Sequence, residues 1–313
     1  MTSACNLRCA MCLVSYRPPV NKVDGAMPLP LFQRLVEDLP DLRQLTLQGL
    51  GEPLLAPDLL TMIRMAKARG VRVGFNSNAT LLHARRAAEL VDSGVDWLHV
   101  SLDGADASTF EQIRDRASFS TVVENLTRLV EAKRRAGSAT PSVRVVFVAM
   151  RRNVAQLPAL VRLLAGIGVS ELRVQNLSHT FSDTDPSGRY QQIRRYAAEQ
   201  ALWTGADQAD ADAAFAAARD AARETGVELR LPADDAPSGR CTWPWDATYV
   251  TSRGIVQPCC MVMGDDRVAL GDLTKQSFPE IWYGEPYREF RRRLAGDEPP
   301  DVCAGCALYQ GTF

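Results

Sequence analysis

Eight cysteines in this 313-residue chain fall into two groups, three within residues 5–12 and five within residues 241–306, with none between Cys12 and Cys241. Thiols serving only as core residues would be scattered, and a chain this long needs no disulfide scaffold. Grouped thiolates in a reducing compartment point to metal. The three histidines, His83, His99 and His179, stand away from every cysteine in sequence, which gives a mixed Cys/His zinc site little support. The first group reads Cys5-Asn-Leu-Arg-Cys9-Ala-Met-Cys12, a CxxxCxxC spacing. On a loop, thiolates so spaced can take three corners of a cubane iron-sulfur cluster and leave the fourth iron open for chemistry. A zinc knuckle is the competing reading, although three cysteines then need a fourth ligand from elsewhere.

Polar residues that could serve a ligand beside such a centre recur where strands should end. Gly49-Leu-Gly51-Glu52-Pro53 follows LTLQ, Asn76 and Asn78 follow VRVGF, Ser101 and Asp103 follow WLHV, and Asn176 follows LRVQ. Glycine lets backbone approach a ligand, a carboxylate can receive an ammonium group, and amides and hydroxyls suit ribose hydroxyls. The same residue types also build ordinary turns and first helical turns. A dinucleotide fingerprint is excluded, because the third glycine of GxGxxG is missing.

Residues 28–177 supply the elements that must position these groups. PLPLFQRLVEDLP places Leu31, Phe32, Leu35, Val36 and Leu39 on one face of a helix, and LRQLTLQG then alternates with period two. Further strands are expected at Val71–Asn76, Trp97–Ser101, Val143–Ala149 and Leu172–Gln175, with helices at 58–69, 83–92, 119–136 and 154–165. Such alternation reads as a parallel sheet wrapped by helices, an open or partial barrel whose ligands bind at the carboxyl ends of the strands. A core over 1–180 is expected. A helical bridge over 181–234 follows, made of the polar loop FSDTDPSG and an alanine-rich stretch. Residues 235–313 form a small α+β domain of short strands and one amphipathic helix around Phe278 to Leu294, with a core slight enough for metal to supplement it.

With 36 Lys and Arg against 37 Asp and Glu, the chain has no long-range pull toward nucleic acid or an anionic membrane, so a small molecule or a peptide is the expected partner. No apolar run reaches the roughly 18 residues needed to span a bilayer, and the first residues lack the apolar region of a signal peptide. A cytoplasmic protein is expected.

The segment Cys5–Cys12, with Asn-Leu-Arg between its first two cysteines, resembles the signature loop of the radical SAM superfamily. That resemblance implies a partial (βα)6 TIM-like barrel and a [4Fe-4S] cluster on Cys5, Cys9 and Cys12. The amino and carboxylate groups of S-adenosyl-L-methionine (SAM) would bind the fourth iron. An electron from the cluster would then break a carbon–sulfur bond to give the 5′-deoxyadenosyl radical. Met11 stands where the family commonly has an aromatic residue. Gly49–Pro53 resembles the family's GGE segment, and the resemblance makes Gly51, Glu52, Asn76, Ser101, Asp103 and Asn176 expected SAM contacts. Only four residues precede Cys5, so the first barrel strand is expected upstream of Met1.

The second group, Cys241, Cys259, Cys260, Cys303 and Cys306, includes a GxxxxC at Gly254–Cys259 and is joined by the words Leu270-Gly271-Asp272-Leu273 and Glu280-Ile-Trp282. Together these resemble the twitch form of the SPASM domain. The resemblance implies one auxiliary [4Fe-4S] cluster on Cys241, Cys259, Cys303 and Cys306. A zinc ribbon on the same four thiolates is the alternative. Cys260 is left over, as a small buried residue or as a hydrogen-atom donor to a substrate radical. The expected activity is a radical SAM oxidation of a small polar substrate such as a sugar or cyclitol, with the auxiliary cluster accepting an electron and a flavodoxin or ferredoxin supplying one. Ribosomal-peptide maturation and epimerisation through Cys260 are alternatives within the family, and a non-catalytic zinc-binding scaffold is the alternative outside it.

Overall fold

A computed structural model describes residues 1–16, 25–177, 191–202, 208–232, 241–262, 267–304, 306 and 309. In chain order its strands are β1 (Arg8–Cys9), β2 (Gln44–Thr46), β3 (Arg72–Ser77), β4 (Trp97–Ser101), β5 (Arg114–Asp115), β6 (Ser142–Ala149), β7 (Glu171–Asn176), β8 (Glu228–Arg230), β9 (Tyr249–Val250), β10 (Ile255–Gln257) and β11 (Gly271–Asp272). A six-stranded sheet in the order β2-β3-β4-β6-β7-β8 is parallel throughout. All six of its strands follow the cysteine loop in sequence. The four strands expected beyond residue 70 lie within one residue of their expected bounds.

Alternation divides the sheet into two chemically different faces. Val73, Phe75, Leu98, Val100, Val145, Phe147, Leu172 and Val174 are buried in one core with apolar residues of the helices Leu59–Ala68, Ala84–Asp92, Phe119–Arg135 and Leu157–Ile167. The intervening residues Asn76, His99, Ser101, Arg144, Arg173 and Gln175 point the other way, and none of them is buried. The main apolar core therefore lies on one side, and the inner face is mixed, its polar groups standing among Trp97, Val146 and Val148.

Three features differ from the sequence reading. The helix Leu29–Glu37 is apolar on two faces rather than one: Phe32 and Val36 enter the main core, while Leu31, Leu35 and Leu39 pack with Leu273, Phe278 and Ile281 of the C-terminal domain. Arg34 of this helix donates to the Leu273 carbonyl, and Asp38 accepts from the Phe278 N–H at 2.8 Å. The stretch read as a bridge contributes directly to the core layer. Helix Gln208–Thr225 buries Ala211, Ala218, Ala221 and Ala222 in the main core, and β8 extends the sheet beside β7. Its alanines suit close helix packing, which helical propensity alone does not reveal. The loop FSDTDPSG lies outside the described residues. Third, a short helix, Ala107–Ile113, capped by the Asp106 carboxylate on the Thr109 N–H at 2.8 Å, precedes β5.

The C-terminal domain holds an antiparallel sheet in the order β11-β10-β9, and its turn at Gly254 adopts φ +86°, a left-handed geometry that favours glycine. Among the described residues no helix is long and apolar enough to cross a membrane.

Candidate active site

The cysteine loop is held in place by backbone on both sides. Before it, the Gly51 N–H donates to the Thr2 carbonyl at 3.1 Å and the Glu52 N–H to the Ala4 carbonyl at 2.8 Å. A Cβ at Gly51 would stand 2.0 Å from the Ala4 oxygen, and one at Gly49 would stand 2.5 Å from the Thr2 oxygen. These glycines admit the chain leading into Cys5, a different reason for glycine from the close ligand approach expected. After Cys5, β1 pairs with β5, with Cys9 opposite Arg114, and the Ala10 N–H donates to the Ile113 carbonyl at 2.8 Å. Asn6 ties the loop to the end of β3, donating to Thr80 Oγ1 at 2.8 Å and accepting from Asn78 Nδ2 at 3.0 Å.

Two of the expected SAM contacts are instead supports behind the loop. Glu52 is 2% exposed, and its carboxylate accepts from Ser77 Oγ at 2.7 Å, the Asn78 N–H at 2.8 Å and the Leu54 N–H at 3.1 Å. Burial pushes its pKa up, and these hydrogen bonds pull it back. Asp103 is fully buried: one oxygen accepts from the Val148 N–H at 2.7 Å and the other meets the Arg114 guanidinium at 2.6 Å. Arg114 then reaches Cys9 Sγ at 3.8 Å. Asn153, fully buried, donates to the Asp103 and Val148 carbonyls at 3.1 and 2.9 Å. Burial raises the Cys9 thiol to about 11, against the pull of Arg114. Sequence reading missed Arg114 and Asn153. Neither lies in a motif, and only the fold brings residue 114 to residue 9.

The remaining candidates lie at the carboxyl ends of the strands. Asn76 is exposed on the inner face of β3, while Ser101 and Asn176 are half-buried at the ends of β4 and β7. Asn76 donates to Gln48 Oε1 at 2.9 Å and accepts from His99 Nδ1 at 3.1 Å. Met11 packs with Ile113, Met150, Leu177 and Tyr196, so the helix Gln191–Gln200 covers the loop. Met150 is fully buried.

The second cysteine group lines a small cleft with Cys241, Cys259, Cys303 and Cys306, and Trp243 and Phe290 are among its apolar walls. Trp245 is 42% exposed and takes no part in that lining. Cys259 follows β10, whose buried Gln257 donates to the Val268 carbonyl at 2.9 Å. The Cys306 N–H donates to the Cys303 carbonyl at 3.0 Å, closing the final CxxC turn. Burial raises Cys259 to about 12 and Cys260 to about 11. Cys260 follows Cys259 in sequence but is not among the residues that line the cleft.

Both groups fit iron-sulfur clusters by the chemistry of their donors: thiolates in largely apolar surroundings, with a guanidinium N–H aimed at one sulfur of the first group. Among the described residues, no three Cys, His, Asp or Glu side chains converge tightly enough for a single metal ion. Zinc would draw its thiolates to about 3.8 Å from one another, since each Zn–S bond is about 2.3 Å. A cubane gives each thiolate its own iron and spreads them more widely.

Arg291 braces the auxiliary cleft from outside. Its guanidinium lies 4.1 Å from the Trp282 ring and 4.2 Å from the Tyr287 ring, and it donates to the Pro244 and Trp282 carbonyls at 2.7 and 2.8 Å. Pro244 belongs to the turn that follows Cys241. Arg291→Met is expected to destabilise this domain by about 2 kcal/mol, from two lost hydrogen bonds and the cation–π contacts. Iron release to a chelator at 25 °C should be faster for the auxiliary set than for the loop set, read by Mössbauer or EPR spectroscopy.

The radical SAM superfamily model matches residues 1–164, over half the chain, and a model of the SPASM iron-sulfur cluster-binding domain matches residues 241–307. The tungsten-containing aldehyde ferredoxin oxidoreductase cofactor-modifying protein of Pyrococcus furiosus is 32% identical over 180 residues, 56% of this chain and 50% of that protein. The chain thus spans about half the length of that relative. Mycofactocin maturase MftC of Mycobacterium ulcerans is 27% identical over 323 residues, 99% of this chain and 79% of that protein. Streptococcus suis SuiB bound to S-adenosylmethionine superposes with a TM-score of 0.69 at 16% identity, over 99% of this chain and 70% of that one, a likeness of fold. A CxxxCxxC loop clipped to the carboxyl end of a parallel sheet, followed by a four-cysteine cleft, agrees with both matches: the chain belongs to the radical SAM superfamily and carries a C-terminal SPASM domain.

Proposed function

We propose that this chain oxidises a small polar substrate, a sugar, cyclitol or similar intermediate, by two electrons. The observation that carries the reading is the set of unburied polar residues at the strand ends beside the cysteine loop, Asn76, Ser101, Gln175 and Asn176. When bound, the [4Fe-4S] cluster of Cys5, Cys9 and Cys12 supplies the electron that splits SAM into methionine and the 5′-deoxyadenosyl radical. Arg114 and Asp103 fix Cys9, and Glu52 fixes the turn at Ser77 and Asn78. Asn76, Ser101 and Asn176, which are accessible, offer hydrogen bonds to SAM or to the substrate. Gly51 shapes the wall beside them. The substrate would give a hydrogen atom to the adenosyl group, a proton to solvent and an electron to the auxiliary cluster, which Cys241, Cys259, Cys303 and Cys306 would hold with no open ligand position. A cytoplasmic flavodoxin or ferredoxin suits the supply of the first electron.

A peptide substrate is the second reading. Similarity to a maturase over 99% of the chain favours it, and SuiB has also been solved with its precursor peptide SuiA. Anaerobic turnover with substrates deuterated at single carbons decides between them. The first reading expects deuterium in 5′-deoxyadenosine and a product two hydrogens lighter from a small polar molecule. Transfer only from peptides would select the second. A product of unchanged redox state, lost in Cys260→Ser, would contradict oxidation and support epimerisation.

A further inference from the structure

The turn that follows β3 concentrates its hydrogen bonds on one amide. Asn78 is 7% exposed, and its backbone N–H donates to the Glu52 carboxylate at 2.8 Å. Its side-chain oxygen accepts from the Thr80 N–H at 3.0 Å and from Thr80 Oγ1 at 2.7 Å. Its side-chain nitrogen donates to Asn6 Oδ1 at 3.0 Å, and Asn6 Nδ2 donates to Thr80 Oγ1 at 2.8 Å. Asn6, Thr80 and Asn78 thus close a ring in which each side chain donates to the next.

One backbone group fixes the sense of the whole ring. The Thr80 N–H can only donate, so the end of the Asn78 amide that faces it is the oxygen. Nδ2 must then face the cysteine loop, Asn6 must present its oxygen to Nδ2 and its nitrogen to Thr80, and the hydroxyl proton of Thr80 goes to Asn78. The backbone accepts strain to hold this turn. Ala79, fully buried, has φ +58°, a left-handed geometry unfavourable to a residue with a Cβ. Asn125, 2% exposed on the helix Phe119–Arg135, clamps the turn by donating to the Ala79 and Thr80 carbonyls at 2.9 and 3.2 Å. Strain kept by such over-determined surroundings is a mark of functional turns.

What the turn holds in place is a donor beside Cys5, the residue before Asn6. An amide nitrogen carries two protons, and Asn6 takes one of those on Asn78. Burial pushes the Cys5 thiol up, while hydrogen bonds from the Leu7 N–H and from the Asn78 amide pull it down. Cys5 therefore has the Asn78 amide as a donor, where Cys9 has the Arg114 guanidinium. Adding an electron to a thiolate-bound cluster increases the negative charge on its sulfurs, so an N–H aimed at one of them stabilises the reduced form more than the oxidised one.

We infer that Asn78 is a positioning residue of the loop cluster, its amide locked by Asn6 and Thr80 so that it donates to Cys5 and raises the cluster's reduction potential. The inference holds for a small-molecule and a peptide substrate alike. An EPR-monitored reductive titration of the full reconstituted chain tests it, the loop signal being the one that SAM alters and the auxiliary signal the internal reference. In Asn78→Leu the ratio of reduced to oxidised loop cluster at a fixed potential should fall about tenfold, or about 59 mV for one electron, as for one lost hydrogen bond to a charged group. Thr80→Val keeps the size of the side chain but cuts two of the three ring bonds, and should lower the ratio in the same direction by less. Thr80→Ser keeps the hydroxyl and should match the parent. An unchanged loop potential in Asn78→Leu or Thr80→Val, an equal shift of both clusters, or the same shift in Thr80→Ser as in Thr80→Val would overturn the assignment. Should Asn78→Leu not retain the loop iron, the two Thr80 variants decide on the same terms.

Discussion

Replacing Arg114 by leucine is expected to lower folding stability by about 3–5 kcal/mol, the usual cost of stripping the partner from a buried charge, and to strip the loop of its cluster. Asp103 would be left fully buried without its cation and with only the Val148 N–H on its carboxylate, and Cys9 would lose the guanidinium that reaches its sulfur. Urea denaturation of the iron-free chain measures the first effect. Adding Asp103→Asn should restore most of the stability, because the charge is gone while an acceptor for Val148 remains. Iron binding by the loop should not return, since Cys9 still lacks Arg114. A single variant as stable as the parent would mean that the pair is not buried as described.

The second large effect is expected from Gly51→Ala. Its new Cβ would lie 2.0 Å from the Ala4 carbonyl oxygen and 2.7 and 2.8 Å from other backbone atoms of Ala4. Backbone cannot swing aside as a side-chain tip can, so the segment entering Cys5 must move. Overpacking of this kind costs about 1–3 kcal/mol, and here the strain falls on the residues that aim a cluster ligand. We expect loss of most of the iron held by the loop while the auxiliary iron stays. Gly25→Ala, where a Cβ meets nothing within 4 Å, should keep both clusters and change stability by less than about 0.5 kcal/mol. Equal iron content in the two variants would refute the tight seam between Ala4 and Gly51.

The sequence showed where chemistry could occur better than how the loop is supported. The strands Trp97–Ser101 and Ser142–Ala149 were legible because each concentrates branched apolar residues, of which Leu98, Val100, Val143, Val145 and Phe147 form the buried face. The two cysteine groups were legible from spacing alone. Glu52 and Asp103 were legible as residues of consequence but not in their role: a carboxylate after a strand looks the same whether it faces a ligand or a buried arginine. Arg114 carried no local signal, since its meaning depends on β5 folding back 105 residues to pair with β1. The helix Leu29–Glu37 misled by having an apolar stripe wide enough for two cores, and β8 went unseen because three residues between charged groups show no periodicity. Burial and partnership are properties of tertiary contact, which residue types at short range do not encode.

Anaerobic reconstitution followed by one assay tests the central claim, that this chain cleaves SAM at the Cys5, Cys9 and Cys12 site. A brown protein with about eight iron atoms, four for each of two cubanes, is predicted, together with 5′-deoxyadenosine on addition of SAM and a strong reductant. In Cys9→Ala the iron should fall to about four atoms and 5′-deoxyadenosine should disappear, while the auxiliary cluster remains. Colourless zinc protein, or undiminished 5′-deoxyadenosine from Cys9→Ala, would contradict it.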